Sequence, residues 1–215
     1  MQKTDQPETI RNILFDMGQV LIRFDRAYFI RKLGAEGGDA AILEREVFLS
    51  REWAMMDWGT LTDDEAAERI CQRLPGRLHD AARKLVSMWD RPILPVEGME
   101  DLVRELKAAG YRLFLLSNAS VRQHDYWPRI PGSNCFEDTL ISADVKLVKP
   151  QPEIYLRACE KFGIRPEESL FIDDAPINIE GAAHAGMAGI VFHGDVKELR
   201  TGLSEYGIRI RTPEN

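Results

Sequence analysis

Cysteine is the first thing this chain has little of. It holds three cysteines, Cys71, Cys135 and Cys159, an odd number, far apart and with no Cys-x-x-Cys pair. That argues against a disulfide framework and suits small buried apolar residues in a reducing cytoplasm. Histidine is scarce: His79, His124, His184 and His193 have no metal-ligand spacing. No apolar stretch approaches the roughly 20 residues that cross a bilayer. Residues 1–9 are polar and acidic, which is not the pattern of a signal peptide. No basic run stands out, and 35 acidic residues outnumber 28 basic ones for a net charge of -7. Nucleic acid and anionic membrane are therefore excluded as expected partners. Repeats and low-complexity linkers are missing too.

What is present is ordinary for a globular protein: 44% hydrophobic and 29% charged residues over 215 positions. That length buries one sizeable core, or a core plus a small accessory domain. The organising stretch is Ile13-Leu14-Phe15-Asp16-Met17-Gly18. A short apolar run, read as a strand buried on both faces, ends abruptly in a carboxylate. In open α/β sheets the carboxyl ends of strands are where ligands bind.

Residues 23–92 contain no clear strand and read as helices at 28–33, 40–49 and 81–89, with one more opening at Thr62. Thr62 followed by Asp63, Asp64 and Glu65 is an N-cap with acids in the first turn. Trp53, Met55 and Trp58 could line a pocket, but aromatic and Met residues in helices more often pack in the core, which is the expectation here. From Val96 the pattern alternates: helix 99–109, strand 111–116, weak strand 140–141, helix 152–162, strand 169–172, helix 176–185 and strand 189–192. This rhythm predicts an α/β fold with a parallel sheet and crossover helices. The charged tail, 208–215, fits no element.

Four polar clusters fall at strand ends or in following loops: Asp16, Ser117-Asn118, Lys149 and Asp173-Asp174. If the strands lie side by side, these clusters converge on one rim. Carboxylate oxygens hold a hard cation such as Mg²⁺. The cation, an ammonium and a hydroxyl can together neutralise a phosphate, and one carboxylate can attack phosphorus.

These four motifs, in order, resemble the haloacid dehalogenase superfamily of hydrolases, in the branch with a helical cap inserted after motif one. The resemblance implies a Rossmann-like three-layer parallel-sheet core, residues 1–18 and 93–215, with residues 19–92 as the inserted helical cap. It implies a Mg²⁺-dependent phosphomonoester hydrolase acting through an aspartyl-phosphate. Asp16 would be nucleophile and metal ligand, the Gly18 carbonyl a second ligand, and Asp174 a direct ligand, with Asp173 ligating or held through water. Ser117 and Lys149 would hold phosphoryl oxygens, and Asn118 would orient the transferred group or cap the backbone. The partner would be a small phosphorylated metabolite, and the protein a cytoplasmic monomer or homodimer. Asp-x-Gly-x-Val in motif one, Trp58-Gly59-Thr60-Leu61-Thr62 with Glu65, Trp127-Pro128, and the run 178–182 resemble a narrower group that includes a bacterial α-glucose-1-phosphate phosphatase.

One position departs from the family pattern. Its phosphatases usually carry a general-acid Asp two residues after the nucleophile, and here that residue is Gly18. A weakly basic leaving group such as a sugar hemiacetal, a proton from water or from a cap residue such as Asp25, or a loss of activity would each account for it. The alternatives are a non-catalytic phosphate-binding or scaffold protein, and a metal-independent 2-haloacid dehalogenase. Asp173-Asp174 argues against the last, because unneutralised acids repel a carboxylate substrate. His124 facing the pocket is weighed against a surface position.

Overall fold

Every side chain of strand β1 (Asn12–Phe15) is buried, as its apolar run predicts. In a computed structural model, which describes residues 9–210, β1 is the centre of a five-stranded parallel sheet. The other strands are β2 (Arg112–Ser117), β3 (Asp138–Ile141), β4 (Ser169–Asp173) and β5 (Ala188–Val191), in the order β3-β2-β1-β4-β5. Phe15 is in register with Leu115 on one side and Ile172 on the other, so three strands end together. The order runs outward from β1 in both directions, which opens a crevice at the carboxyl ends, between β1 and β4.

The chain between β1 and β2 forms α1 (Arg26–Lys32), α2 (Gly37–Leu43), α3 (Arg51–Asp57), α4 (Asp63–Arg73), α5 (His79–Met88) and α6 (Met99–Ala108). The remaining helices are α7 (Gln123–Tyr126), α8 (Ser142–Val145), α9 (Pro152–Phe162), α10 (Pro176–His184) and α11 (Val196–Glu205). Strand side chains alternate between two buried layers. Ile13, Phe15, Leu115 and Ile172 meet α6 and α11. Leu14, Phe114, Leu116 and Phe171 meet α9 and Ala182 of α10. Helices on both faces make the three-layer, Rossmann-type sandwich expected of a parallel sheet.

Helices α1 to α5 pack around their own cluster, which includes Phe29, Leu43, Val47, Phe48, Ile70 and Leu85. The Thr62 cap is a full capping box, with Glu65 N–H donating to the Thr62 hydroxyl and Thr62 N–H to the Glu65 carboxylate. The single helix expected at 40–49 is instead α2 followed by a π-helical turn, Glu44–Phe48. The wider turn brings the adjacent Val47 and Phe48 both inward and leaves Leu49 60% exposed. Helices α3 and α11 have no counterpart in the sequence reading. Each is capped by a lone side chain, Ser50 and Asp195, rather than by a reciprocal box.

The helical block is fastened to the sheet core at several points. Buried Asp90 pairs with Arg122 and Arg129, and Arg122 also reaches Asp63 at 3.3 Å. The end of α3 meets α8: the Ser142 hydroxyl donates to the Asp57 carbonyl, and Trp58 Nε1 donates to the Lys146 carbonyl at 3.0 Å. Between them Gly59 adopts φ +67°, and a Cβ there would stand 2.2 Å from the Ala143 carbonyl oxygen. No L side chain fits that approach. Gly59→Ala is expected to lower stability by about 2–4 kcal/mol, from αL strain plus overpacking, with a matching drop in the urea midpoint. A loss below about 0.5 kcal/mol would show that the contact between α3 and α8 does not hold the two parts together.

Candidate active site

Asp16 follows β1 directly, and its N–H continues the ladder by donating to the Ile172 carbonyl at 2.8 Å. The chain then turns sharply, with Val20, Leu21 and Ile22 N–H groups all directed to the Met17 carbonyl. Ser117 ends β2 and Asp173 ends β4, so the sheet sets all three side by side. Lys149 arrives from the loop between α8 and α9. Its ammonium lies 2.7 Å from Asp16 Oδ1 and 2.6 Å from Asp173 Oδ2, wholly out of solvent.

Several contacts aim that lysine. Asn118 clasps its main chain, accepting from Lys149 N–H at 2.9 Å and donating to Lys149 O at 3.1 Å. This is the backbone-capping geometry, with the amide engaged by the neighbouring loop. Asp173 accepts from Lys149, from Asn178 at 3.0 and 3.1 Å, and from Ala175 N–H at 2.8 Å. Gly181 lets α10 lie against the lysine loop, where a Cβ would come within 2.4 Å of the Pro150 carbonyl oxygen.

Asp16, Gly18, Ser117, Asn118 and Asp174 all line one cavity of about 240 Å³. Its far wall comes from the helical block: Phe24, Trp53, Trp89 and Asp57. Trp53, expected in the core, does both jobs. It packs on Phe48 with ring centroids 5.0 Å apart and still faces the cavity. Trp58 is 42% exposed, so it is not core. His124 stands outside, paired with exposed Asp144 at 3.0 Å. Asp25, the cap acid singled out in the sequence, is spent as the N-cap of α1, accepting from Tyr28 N–H at 2.8 Å.

One lining residue the sequence reading did not find is Asp57, at the end of α3. The sign was there: an acid directly before Trp58-Gly59, the pair that docks α3 on the core. Burial above all, then the charges of Asp16 and Asp63, push its carboxyl up to about 8, offset in part by the main-chain N–H of Ser120.

The acidic set fits a divalent cation. Oxygens of Asp16, Asp173 and Asp174 lie within 4.8 Å of one another, near enough to share one ion. Three carboxylates face a single ammonium. Burial first, and then Asp173, raise both Asp16 and Asp174 above the usual carboxylate range, with Lys149 pulling the other way. Burial works against the charge of Lys149, but Asp16 and Asp173 outweigh it and raise its pKa. The cluster is short of positive charge, which is what a hard cation supplies. Asp174 is the exposed member, open to the cavity, whereas Asp173 is already engaged on both oxygens.

The chain belongs to the haloacid dehalogenase-like hydrolase family, whose model matches residues 10–186. A glyceraldehyde 3-phosphate phosphatase of Methanopyrus kandleri is 24% identical over 84% of this chain and 83% of its own length. An (S)-2-haloacid dehalogenase 4A of Burkholderia cepacia is 31% identical over 83% and 81%. A flavin mononucleotide hydrolase of Arabidopsis thaliana is 29% identical over 55% of this chain, a match that spans only 48% of that relative. Among solved structures, a Bacteroides thetaiotaomicron enzyme of the family superposes with TM-score 0.66 and 26% identity, over 88% of this chain and 98% of that one. It was crystallised with magnesium and inorganic phosphate.

The upward shift of Asp57 has a consequence for stability. Its folded pKa lies above the ordinary aspartate value of about 3.9, so the fold binds a proton that the unfolded chain releases. The stability this contributes is present below about pH 4 and is lost as pH rises to about 8. Asp57→Asn, facing Asp16, Asp63 and Tyr126 without a charge, is expected to be more stable than the parent by about 1–4 kcal/mol at pH 7. Urea titrations from pH 4 to 9 should show the gap opening up to about pH 8 and then levelling. A constant gap would mean an ordinary pKa.

Proposed function

We propose that this protein is a Mg²⁺-dependent phosphomonoester hydrolase that works through an aspartyl-phosphate at Asp16. The observation that carries the reading is Asp16 itself: a buried carboxylate at a strand end, held by Lys149 at 2.7 Å, with Asp174 and Gly18 beside it in one cavity. The magnesium and phosphate bound by the Bacteroides relative and the phosphatase named in Methanopyrus support it.

Asp16, the Gly18 carbonyl and Asp174 would hold the metal, with Asp173 steering Lys149 more than ligating. Bound there, the cation supplies charge neutralisation at the transferring phosphoryl group. Ser117 and Lys149 would bind phosphoryl oxygens, and Lys149 would keep Asp16 anionic for in-line attack. Asn118 acts by fixing Lys149, and residues 19–92 serve as the cap that shields the site from water. A cavity of about 240 Å³ suits a small metabolite rather than a nucleotide, being at the small end of ligand sites. The aromatic wall of Phe24, Trp53 and Trp89 would cover its carbon skeleton. A sugar-1-phosphate is the finer assignment, supported by the motif-one pattern. The buried, unpaired cysteines suit a cytoplasmic setting.

Phosphate release should be measured from glucose-1-phosphate, glucose-6-phosphate, glyceraldehyde 3-phosphate and an aryl phosphate, with Mg²⁺ and with EDTA. The expected result is release that EDTA abolishes and Mg²⁺ restores. Asp16→Asn should lose a factor of about 10³ or more in kcat, with an unchanged circular dichroism spectrum. Its identity to the Burkholderia dehalogenase makes 2-chloropropionate the control. Chloride release that EDTA leaves untouched would replace this reading with dehalogenation.

A further inference from the structure

We propose that Asp57, from the helical block, is the general acid of the reaction, and that it protonates the leaving-group oxygen from across the cavity. This rests on the phosphatase reading above and goes beyond it, because the position that usually supplies the proton is Gly18.

Gly18 is not forced on the chain. Its φ lies outside the left-handed region, and a Cβ built on it meets no atom within 4 Å. Neither strain nor packing explains the missing side chain. The glycine leaves the space beside Asp16 open, and the wall opposite carries Asp57.

Asp57, partly buried at the cavity wall, differs from the other acids enclosed in the helical block. Glu52 is fully buried and bound by Arg73 at 2.8 and 3.0 Å; that bond and one from Arg51 overcome burial and draw its carboxyl down to about 2. Asp90 has Arg122 and Arg129, and Asp63 has Arg122. Those acids are held in ion pairs with arginines. Asp57 forms no ion pair among the described residues; it stands beside Phe24, Trp53 and Trp89 in the cavity wall and faces other acids rather than a cation, which favours the neutral acid that a proton donor must be.

Its position is also fixed. The main chain at 57–59 is held by the Ser142 hydroxyl, the Trp58 indole and the Gly59 approach to Ala143. One turn earlier, the Glu52–Arg73 pair ties α3 to α4. Catalytic geometry needs such support within fractions of an ångström.

The step balances without a further reactant. An Asp16 oxygen attacks phosphorus, the bond from phosphorus to the leaving oxygen breaks, and its electron pair takes the Asp57 proton to give the free alcohol. Asp57, now a carboxylate, accepts a proton from the water that attacks the aspartyl-phosphate. Phosphate leaves, Asp16 is regenerated as carboxylate, and Asp57 is again the acid.

The test is the dependence of kcat/KM on the leaving group, in the Mg²⁺-loaded full chain. This parameter reports the step that forms the phosphoenzyme. Asp57→Asn should lose about 10²–10⁴-fold on an alkyl phosphate and under about tenfold on 4-nitrophenyl phosphate, whose leaving group needs no proton. Because Gly18 has room, the double variant Gly18→Asp/Asp57→Asn should recover at least tenfold on the alkyl ester. Equal losses on both esters would mean that Asp57 only shapes the pocket, and no loss on either would remove it from the reaction. A parent protein that cleaves no ester, or an Asp16→Asn variant that keeps full activity, would overturn the phosphatase reading and this proposal with it.

Discussion

One buried ammonium holds this site together. Lys149 sits between Asp16 and Asp173, and neither acid has another cation within reach among the described residues. Removing one member of such a group strands its partner's charge in low dielectric, at a cost of about 3–5 kcal/mol. The surrounding structure can be understood as what this arrangement demands. Asn118 fixes the lysine's main chain, Asn178 and Ala175 saturate Asp173, and Gly181 lets α10 close on the loop. Three strands ending in register deliver the acids to one rim, and four separate parts of the chain meet there.

The helical block handles its charge differently. Its structural acids are matched to arginines, while the wall that faces the sheet is mostly aromatic, formed by Phe24, Trp53 and Trp89 around Asp57. The cavity thus has a charged floor and an apolar ceiling. A phosphate ester has the same asymmetry, an anionic head and a less polar remainder, and the aromatic side can recognise the remainder without competing for the head.

Strands β1, β2 and β4 were legible because they are apolar runs cut off by polar residues, as in Ile13 to Asp16 and Leu170 to Asp174; β3, which opens on Asp138 and Thr139, showed only its last two residues. Asp16, Ser117, Asp173 and Asp174 were legible for the same reason and Lys149 through the ordered motifs it belongs to, and the structure brings all five to one rim. Asn118 was harder. An amide after a strand can serve a ligand or a loop, and only the partner, Lys149, decides between them. Trp53 was read as core because aromatic spacing on a helix does not reveal which side faces a cavity. Asp57 escaped because its meaning comes from α8, more than eighty positions away, and from a burial that no local pattern encodes. The π-turn at Glu44–Phe48 was hidden because its sequence satisfies an ordinary helix equally well.

The contact at Gly59 has a consequence for selectivity. If the proton donor rides on the segment that Gly59 docks, then chemistry and fit are read by one event. A molecule too bulky for α3 to settle on α8 would still offer its phosphate to Lys149, but it would hold the acid away from the oxygen that needs it. Size would then be judged at the bond-breaking step rather than at binding, and oversized esters would behave as inhibitors instead of slow substrates.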